Sequence, residues 1–330
     1  MKQKKRLIIR KREVAILAAL VLLEWSFFVF LFSFFPIGVW AGVSEDNVTV
    51  QTFMQIGNAF PEIVNITINN GNDIDLTANA TTNVSVLIIL RDYNGDTDIE
   101  NVTAEFFDNI ASSYGSADDN NDHYTNSTCF LNRTYGSSIE ASATCTFDLE
   151  YYANNATWNA TVSVNDSLGS QASNSNTTTV NTLLAFALPD SIDYGEVNAT
   201  TVSAEKEVNV TNAGNVVLNL SLHGYGATEG DNLAMNCTQG SVQNISAFYE
   251  QYNLTASNAS DLTFSQFDGL YINLSGSPVI NWFDLTQRQN DTDQYVDDTN
   301  STYWRIYVPV GVAGNCSGNI VFGAVQSPAS

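Results

Sequence analysis

Basic residues are almost absent from this chain after its first thirteen positions. Seven of its 12 lysines and arginines precede that point, and the five that follow are Arg91, Arg133, Lys206, Arg288 and Arg305. The chain is therefore strongly acidic, with a net charge of −23 at pH 7. Binding to nucleic acid or to an anionic membrane surface needs clustered lysine and arginine, so this composition argues against both functions.

Groups for acid–base catalysis are also scarce. The chain has 2 histidines, His123 and His223, and neither belongs to a motif. It contains no GxSxG, HExxH or phosphate-binding loop. We therefore predict that the protein is not an enzyme. An exported carbohydrate-binding or carbohydrate-active protein is an open alternative, because the paired carboxylates of a glycosidase have no fixed sequence spacing.

Acceptor signals for N-linked glycan, Asn-x-Ser/Thr, are abundant, with about twenty copies after residue 44 and none before it. Many have an apolar middle residue, as in Asn65-Ile66-Thr67. On a strand, residues i and i+2 share a face, so the asparagine and threonine face outward and the middle residue faces inward. An Asn-rich and Thr-rich composition also produces such triplets by chance. The predicted glycosylation sites are Asn47, Asn65, Asn83, Asn101, Asn159, Asn209, Asn219, Asn253 and Asn273.

An apolar run at residues 14–35 follows the basic segment of residues 1–13. Its roughly 22 residues make a helix of about 33 Å, which matches a hydrocarbon core of about 30 Å. The basic flank places the N-terminus in the cytoplasm. We predict an uncleaved signal-anchor helix at residues 14–40 and a single-pass protein of the cell membrane with extracellular C-terminal domains. Cleavage after Ala41, which would release the protein, is the alternative.

Glu24 lies inside this apolar run, where a charged side chain costs about 2–3 kcal/mol. The run resembles the N-terminal helix of type IV pilins and archaellins, which carries a glutamate at the fifth mature position. Cleavage between Ala19 and Leu20 would place Glu24 there, although in that family the cleavage site follows the basic residues almost directly. This resemblance implies a filament subunit that assembles through its N-terminal helix.

Short runs with a period of two fill the chain after residue 42. Apolar and polar residues alternate at 64–68, 84–90, 160–164 and 216–222, and clusters of Asn, Asp, Gly and Ser separate the runs. Sustained helical periodicity is missing. This pattern predicts an all-β chain of antiparallel sandwiches, with one domain at residues 44–182 and a second at residues 183–330.

Several of these segments resemble known modules. NAFPEI at 58–63, RDYNGDTDIENVTAEF at 91–106 and ATVSVNDSLG at 160–169 are similar to parts of an immunoglobulin-like module of the PKD/cadherin-like type. The segment at 191–222, which includes IDYGEV and VNVTNAGNVVLNLSL, and WRIYVPVGVAGNCSGNIVF at 304–322 resemble modules of predicted surface proteins of archaea and candidate-phylum prokaryotes. The resemblance implies export and two tandem immunoglobulin-like β-sandwich domains.

Four cysteines in an exported chain indicate two disulfides. Pairing Cys129 with Cys145 and Cys237 with Cys316 keeps each bridge within one predicted domain, and we predict this pairing. A cysteine metal site is less well supported because the chain has no CxxC spacing.

Acidic and amide side chains recur at every second position between Asp92 and Asp98, namely at Asp92, Asn94, Asp96 and Asp98. Hard oxygen ligands of this kind suit calcium. The same residue types also form β-turns without any ion. The sequence thus leaves two interpretations of this loop, a calcium site and a plain turn, and it indicates no other cofactor.

These observations predict a membrane-anchored cell-surface glycoprotein with a structural or adhesive role in the envelope. Its expected partners are the membrane, through the N-terminal helix, and other envelope proteins or glycans. Nucleic acid is not an expected partner.

Overall fold

The computed structural model describes residues 49–257, 259–289 and 298–327. The chain separates into two compact units, Met1–Gln55 and Ile56–Ser330. The predicted anchor at residues 14–40, with Glu24, and the predicted glycosylation site at Asn47 lie outside the described residues. In the ranges that are described, no helix has both the length and the apolar character needed to cross a bilayer.

Eight strands form the first half of the fold, which we call the N-terminal sandwich. They are β1 (Glu62–Ile68), β2 (Thr82–Arg91), β3 (Ile99–Asp108), β4 (His123–Asn126), β5 (Phe130–Asn132), β6 (Glu140–Leu149), β7 (Thr157–Asp166) and β8 (Gln171–Thr179). One sheet has the order β1-β2-β6-β5 and the other has the order β4-β3-β7-β8. Single 3-10 turns occur at Asn69–Gly71 and Asp96–Asp98.

The alternation of apolar and polar residues in the sequence places the apolar side chains in the core between these two sheets. Every second residue of β2 from Val84 to Leu90 is at most 1% exposed. Burial of each such side chain contributes about 1.5–3 kcal/mol. Val64 is an exception, because a bulge between Ile63 and Asn65 shifts the register of β1 against β2 and leaves Val64 exposed.

The second half of the fold, which we call the C-terminal sandwich, contains three sheets and one short helix. Its elements are β9 (Phe186–Ala187), β10 (Lys206–Asn212), β11 (Leu218–Tyr225), β12 (Leu233–Gly240), β13 (Asn244–Ser246), a 3-10 turn (Ala247–Tyr249), β14 (Glu250–Asn253), α1 (Phe264–Leu270), β15 (Ile272–Asn273), β16 (Val279–Leu285), β17 (Thr299–Ile306), β18 (Val312–Ser317) and β19 (Asn319–Gln326). A capping box of Thr263 and Gln266 begins α1.

A five-stranded sheet, β15-β14-β17-β10-β9, faces two three-stranded sheets, β16-β11-β19 and β13-β12-β18. Trp304 of the five-stranded sheet shares one apolar cluster with Leu220 of β11. Ile306 shares a second cluster with Ala234 of β12. All named strands in both sandwiches pair antiparallel, which confirms the predicted all-β class.

Asn215 joins the two sandwiches and is fully buried. Its Nδ2 donates to the carbonyl oxygens of Ala153 at 3.0 Å and Asn181 at 3.1 Å. Val180 belongs to the N-terminal core and Phe186 packs against the C-terminal core, so the chain crosses between the sandwiches over this short stretch. Both sandwiches nevertheless belong to one compact unit, and their independence as two domains stays a prediction.

Candidate metal centre

Three carboxylates meet at one end of the N-terminal sandwich. Asp92 directly follows β2, Asp98 directly precedes β3, and Asp166 is the last residue of β7. The pairing of β3 with β7 sets Ile99 opposite Asp166, which brings Asp98 towards Asp166. One oxygen of each carboxylate lies within 4.8 Å of the other two. Among the described residues, this is the one group of three or more His, Cys, Asp or Glu side chains close enough to share a metal ion.

Asp92 is fully buried, with an exposure of 0%. Its Oδ1 accepts a hydrogen bond from the backbone N–H of Asn94 at 2.8 Å, whereas its Oδ2 is buried without a hydrogen-bond partner. Burial raises the pKa of Asp92, and the charges of Asp98 and Asp166 raise it further against the opposing effect of the Asn94 hydrogen bond. A buried carboxylate oxygen without a partner is costly unless a cation or a proton lies beside it.

Asp166 is also fully buried, and the loop that follows β7 satisfies one of its oxygens. Its Oδ1 accepts from the backbone N–H groups of Leu168 at 3.0 Å and Ser170 at 2.7 Å. Its Oδ2 accepts from Asn58 Nδ2 at 2.8 Å. Burial opposes ionisation, but the hydrogen bonds from Asn58, Ser170 and Leu168 together hold the pKa of Asp166 below its ordinary range.

Asn58 lies beside the group and is hydrogen-bonded to Asp166. Its Nδ2 donates to Asp166 Oδ2, and its Oδ1 is buried without a hydrogen-bond partner. Side-chain amide oxygens accompany carboxylates in many calcium sites. Two buried oxygens, Oδ2 of Asp92 in the group and Oδ1 of its neighbour Asn58, have no hydrogen-bond partner.

Asp98 is half-buried and is held by the loop that follows β7. Its side chain accepts a hydrogen bond from the Ser167 hydroxyl, and its carbonyl oxygen accepts from the Ser167 N–H at 2.8 Å. The chain turns into position at Gly95, whose φ of 127° disfavours any residue with a side chain.

Of the other two predicted ligands, Asp96 does not belong to this group of carboxylates. Asn94 Oδ1 accepts a hydrogen bond from the Ala59 N–H at 2.6 Å. The backbone N–H of Asp96 donates to the Ser138 carbonyl at 2.9 Å, within the 3-10 turn that carries the chain from β2 to β3. The 3-10 turn interrupts the extended conformation that the every-second-residue spacing assumed, and calcium binding by all four loop residues stays a prediction.

The spacing and chemistry of the group suit a divalent cation. Oxygens that each lie about 2.3–2.6 Å from one calcium ion are at most about 5 Å apart. The carboxylate oxygens meet this limit. No ion pair formed among the described residues involves Asp92, Asp98 or Asp166. Within the described residues, no lysine, arginine or histidine therefore neutralises these three carboxylates through an ion pair.

His123 is the one histidine close to both a hydroxyl and a carboxylate. Its Nδ1 lies 3.0 Å from Ser112 Oγ, and its Nε2 lies 3.4 Å from Glu105 Oε2. The ring has an exposure of 0% and stacks on Phe107 with the ring centroids 5.4 Å apart. This environment is that of a core histidine, because the buried ring presents no open face to a substrate.

Most predicted glycosylation sites lie on the outer faces of the sheets. The asparagine is exposed or half-buried, and the middle residue of the triplet is buried except for the half-buried Leu254. The sites that follow this pattern are Asn65, Asn83, Asn101, Asn159, Asn209, Asn253 and Asn273.

Asn219 departs from this pattern because its side chain is buried rather than facing outward, and its glycosylation stays an untested prediction. The side chain is 1% exposed, and its Oδ1 accepts from the backbone N–H groups of Phe283 at 2.7 Å and Asp284 at 2.9 Å. The pairing of β11 with β16 shifts register between Leu218 and Leu220, and the amide of Asn219 satisfies donors at that irregularity. A glycan has no room at this position in the folded chain.

The structure contains two disulfides, Cys129–Cys145 and Cys237–Cys316, and no free cysteine among the described residues. The first lies in the core of the N-terminal sandwich. The second joins β12 to β18, where the two cysteines are directly paired across the strands. Each bridge therefore closes a loop within one sandwich.

Sequence reasoning missed Asp166 as a member of the acidic group and Asn58 as the hydrogen-bond partner of Asp166. Both lie in segments already singled out for their resemblance to an immunoglobulin-like module, 160–169 and 58–63. The missing information was the register of β3 against β7, which places residue 99 opposite residue 166. A period-two pattern defines the faces of a strand but not its partner.

Comparison with known proteins gives structural likeness alone. No family model and no curated protein matches the chain. One similar structure belongs to a chaperone–tip adhesin complex of CFA/I fimbriae, with 11% identity, 78% of each chain covered and a TM-score of 0.31. A second belongs to carbohydrate-binding modules of the β-sandwich superfamily, with 10% identity, 82% of this chain and 100% of that chain covered, and a TM-score of 0.24.

A third similar structure is the C-terminal domain of the AgI/II polypeptide BspA of Streptococcus agalactiae. It has 8% identity and a TM-score of 0.22, and the match covers 78% of this chain and 91% of that chain. At these TM-scores, none of the three likenesses carries an argument about function.

Proposed function

We propose that this chain is an exported surface glycoprotein with a structural or adhesive role in the cell envelope. The segment at residues 14–40 anchors it in the cell membrane, with the N-terminus in the cytoplasm and both sandwiches outside. The observation that carries this proposal is the outward placement of the glycan acceptor sites on the strands of both sandwiches. An acceptor site is useful to the cell only where the glycosylation machinery meets the chain, on the exported side of the membrane.

The two disulfides support the same location. Disulfides persist in oxidising compartments, and reducing systems in the cytoplasm keep thiols free. All four cysteines of the chain are bridged. The acidic composition suits a crowded surface as well, because a net charge far from zero keeps proteins soluble and apart.

An adhesive role is supported by the outer face of β16. Trp282 is 67% exposed and Ile280 is 56% exposed, and both lie on the same face of this strand. Exposed tryptophan is enriched at binding surfaces because its large ring contributes contact area at a low cost in conformational entropy. Other envelope proteins or glycans are the partners that we propose, and we propose no catalytic activity.

Removal of single acceptor sites tests the glycoprotein proposal. Ser85→Ala destroys the site at Asn83, and Ser221→Ala destroys the site at Asn219, while both substitutions leave the asparagine in place. In protein from the native host, we expect Ser85→Ala to lose the mass of one glycan and Ser221→Ala to lose none, because Asn219 is buried. Intact-mass spectrometry before and after glycan release measures the mass change in both variants.

The unmodified chain has a mass of 36.0 kDa, so a mature protein whose mass equals that of the bare polypeptide would contradict the proposal. A glycan found on Asn219 would contradict the fold at β11. Both serines are half-buried and lie on strands, which makes the two variants matched controls for each other.

A further inference from the structure

We propose that Asp92, Asp98 and Asp166, together with Oδ1 of Asn58, bind one calcium ion at the end of the N-terminal sandwich. Two observations point to a ligand. One oxygen of each carboxylate lies within 4.8 Å of the others. Independently, Asp92 Oδ2 is fully buried and has no hydrogen-bond partner. The proposal does not depend on where in the cell the protein resides.

The donor set selects calcium from among the common metals. All four side chains offer oxygen, and the group includes no histidine or cysteine, so zinc and copper are disfavoured. Magnesium dehydrates reluctantly and usually binds one or two carboxylates, whereas calcium accepts six to eight oxygens in flexible geometry. Because Asp98 is half-buried, water can complete the shell from that side.

The ion would also fix the chain where it enters the N-terminal sandwich. Asn58 Nδ2 donates to Asp166 Oδ2 at 2.8 Å and to Ser170 Oγ at 2.9 Å. The neighbouring Ala59 N–H donates to Asn94 Oδ1 at 2.6 Å, and the Asn94 N–H in turn donates to Asp92. Residues 58 and 59 are thus held by groups whose positions the ion sets. Calcium binding should therefore order this segment together with the loop at 92–98.

The test is a calorimetric titration of the chelator-treated full chain with calcium chloride. About 0.15 M salt limits general screening of the acidic surface, since the Debye length is then about 8 Å. The wild type should bind one calcium ion per chain. Substitution of a residue that only hydrogen-bonds to a metal ligand commonly weakens metal affinity by about 10–100-fold. We therefore expect Asp98→Asn and Asp166→Asn, which alter the ligands themselves, to weaken calcium binding at least about tenfold. Asp96→Asn is the matched control in the same loop and should leave the affinity close to that of the wild type.

Hydrogen exchange supplies a second readout. In the wild type, calcium should slow exchange at residues 56–60 and 92–98, and Asp98→Asn should lose this protection. Asp166→Asn keeps an acceptor for the Leu168 and Ser170 N–H groups, and circular dichroism checks that it folds. Asp98 is half-buried, so Asp98→Asn tests the proposal even if Asp166→Asn does not fold.

Three results would overturn the proposal. The first is a wild type that binds no calcium. The second is binding that Asp98→Asn leaves intact or that Asp96→Asn abolishes, because the ion would then lie elsewhere. The third is magnesium binding as tight as calcium binding at the same site.

Discussion

Replacement of both Cys237 and Cys316 by alanine should lower the free energy of unfolding by about 4.5 kcal/mol. The bridge closes a loop across 79 residues of sequence, and its loss frees that loop in the unfolded chain. Replacement of Cys129 and Cys145, which are 16 residues apart, should cost less, about 3 kcal/mol. The difference arises because a longer loop loses more conformational entropy when it is closed.

Chemical denaturation of the full chain, monitored by tryptophan fluorescence under non-reducing conditions, measures both values. The second double variant is the matched control, since each pair of substitutions removes one bridge from one sandwich. A loss below about 1 kcal/mol for the Cys237–Cys316 pair would show that the bridge does not constrain the unfolded chain in this way.

Stability should also fall as the pH rises, because of one buried carboxyl group. Glu250 on β14 is 2% exposed, and its Oε1 accepts from the Tyr194 hydroxyl at 2.9 Å. Burial raises the pKa of Glu250 from its ordinary value of 4.5 to about 7, against the smaller opposing effect of the Tyr194 hydrogen bond. The folded protein therefore holds this proton to a higher pH than the unfolded chain does.

The sign of the effect follows from this difference in proton binding. The contribution of Glu250 is complete below about pH 4.5, and it is lost as the pH rises through about 7. At 1.36 kcal/mol for each pKa unit, the total loss is about 3 kcal/mol. Glu250→Gln cannot ionise and keeps an acceptor for Tyr194. Relative to the wild type, this variant should gain about 3 kcal/mol at pH 8 and change little at pH 4.

Urea denaturation at pH 4, 6 and 8 measures the difference between the two proteins. The control is Glu196→Gln, since Glu196 is exposed in the same segment as Tyr194 and should change stability by less than about 0.5 kcal/mol at every pH. Equal losses of stability in the wild type and in Glu250→Gln between pH 5 and 8 would contradict the assignment.

Much of the fold could be predicted because local pattern and burial agree along most strands. The alternation from Val84 to Leu90 matches alternate burial on β2. The Asn-Gly pair at Asn70 and Gly71 forms a turn with positive φ angles of 56° and 83°, as this dipeptide favours. The cysteine pairing could be predicted because it needed only a domain boundary between Cys145 and Cys237. That boundary lies at residues 180–190, where the chain passes from the N-terminal core to the C-terminal core.

The residues that sequence reasoning placed wrongly depend on contacts between distant strands. Val64 is exposed because of a bulge, and Asn219 is buried because it satisfies backbone donors of β16. Neither the bulge nor the partner strand leaves a local signal.

The acidic group shows the same limit. Asp92 and Asp98 were found from the composition of one loop, but Asp166 joins them through the pairing of β3 with β7. The burial of Glu250, a charged residue type usually found at the surface, is equally invisible in the sequence.

Topology in intact cells tests the central claim most directly, and the chain offers a simple reporter. Lys206 is half-buried on β10 and is the one lysine after residue 11, while Lys2, Lys4, Lys5 and Lys11 lie before the predicted anchor. Intact cells of the native host are treated with a membrane-impermeant amine-reactive reagent, and labelled peptides are identified by mass spectrometry. Lysed cells show which lysines can react at all, and Lys206→Arg confirms the assignment of the label.

We expect label on Lys206 in intact cells and label on the N-terminal lysines only after lysis. The opposite pattern, with Lys206 protected in intact cells and labelled after lysis, would place the two sandwiches inside the cell and contradict the proposed surface location.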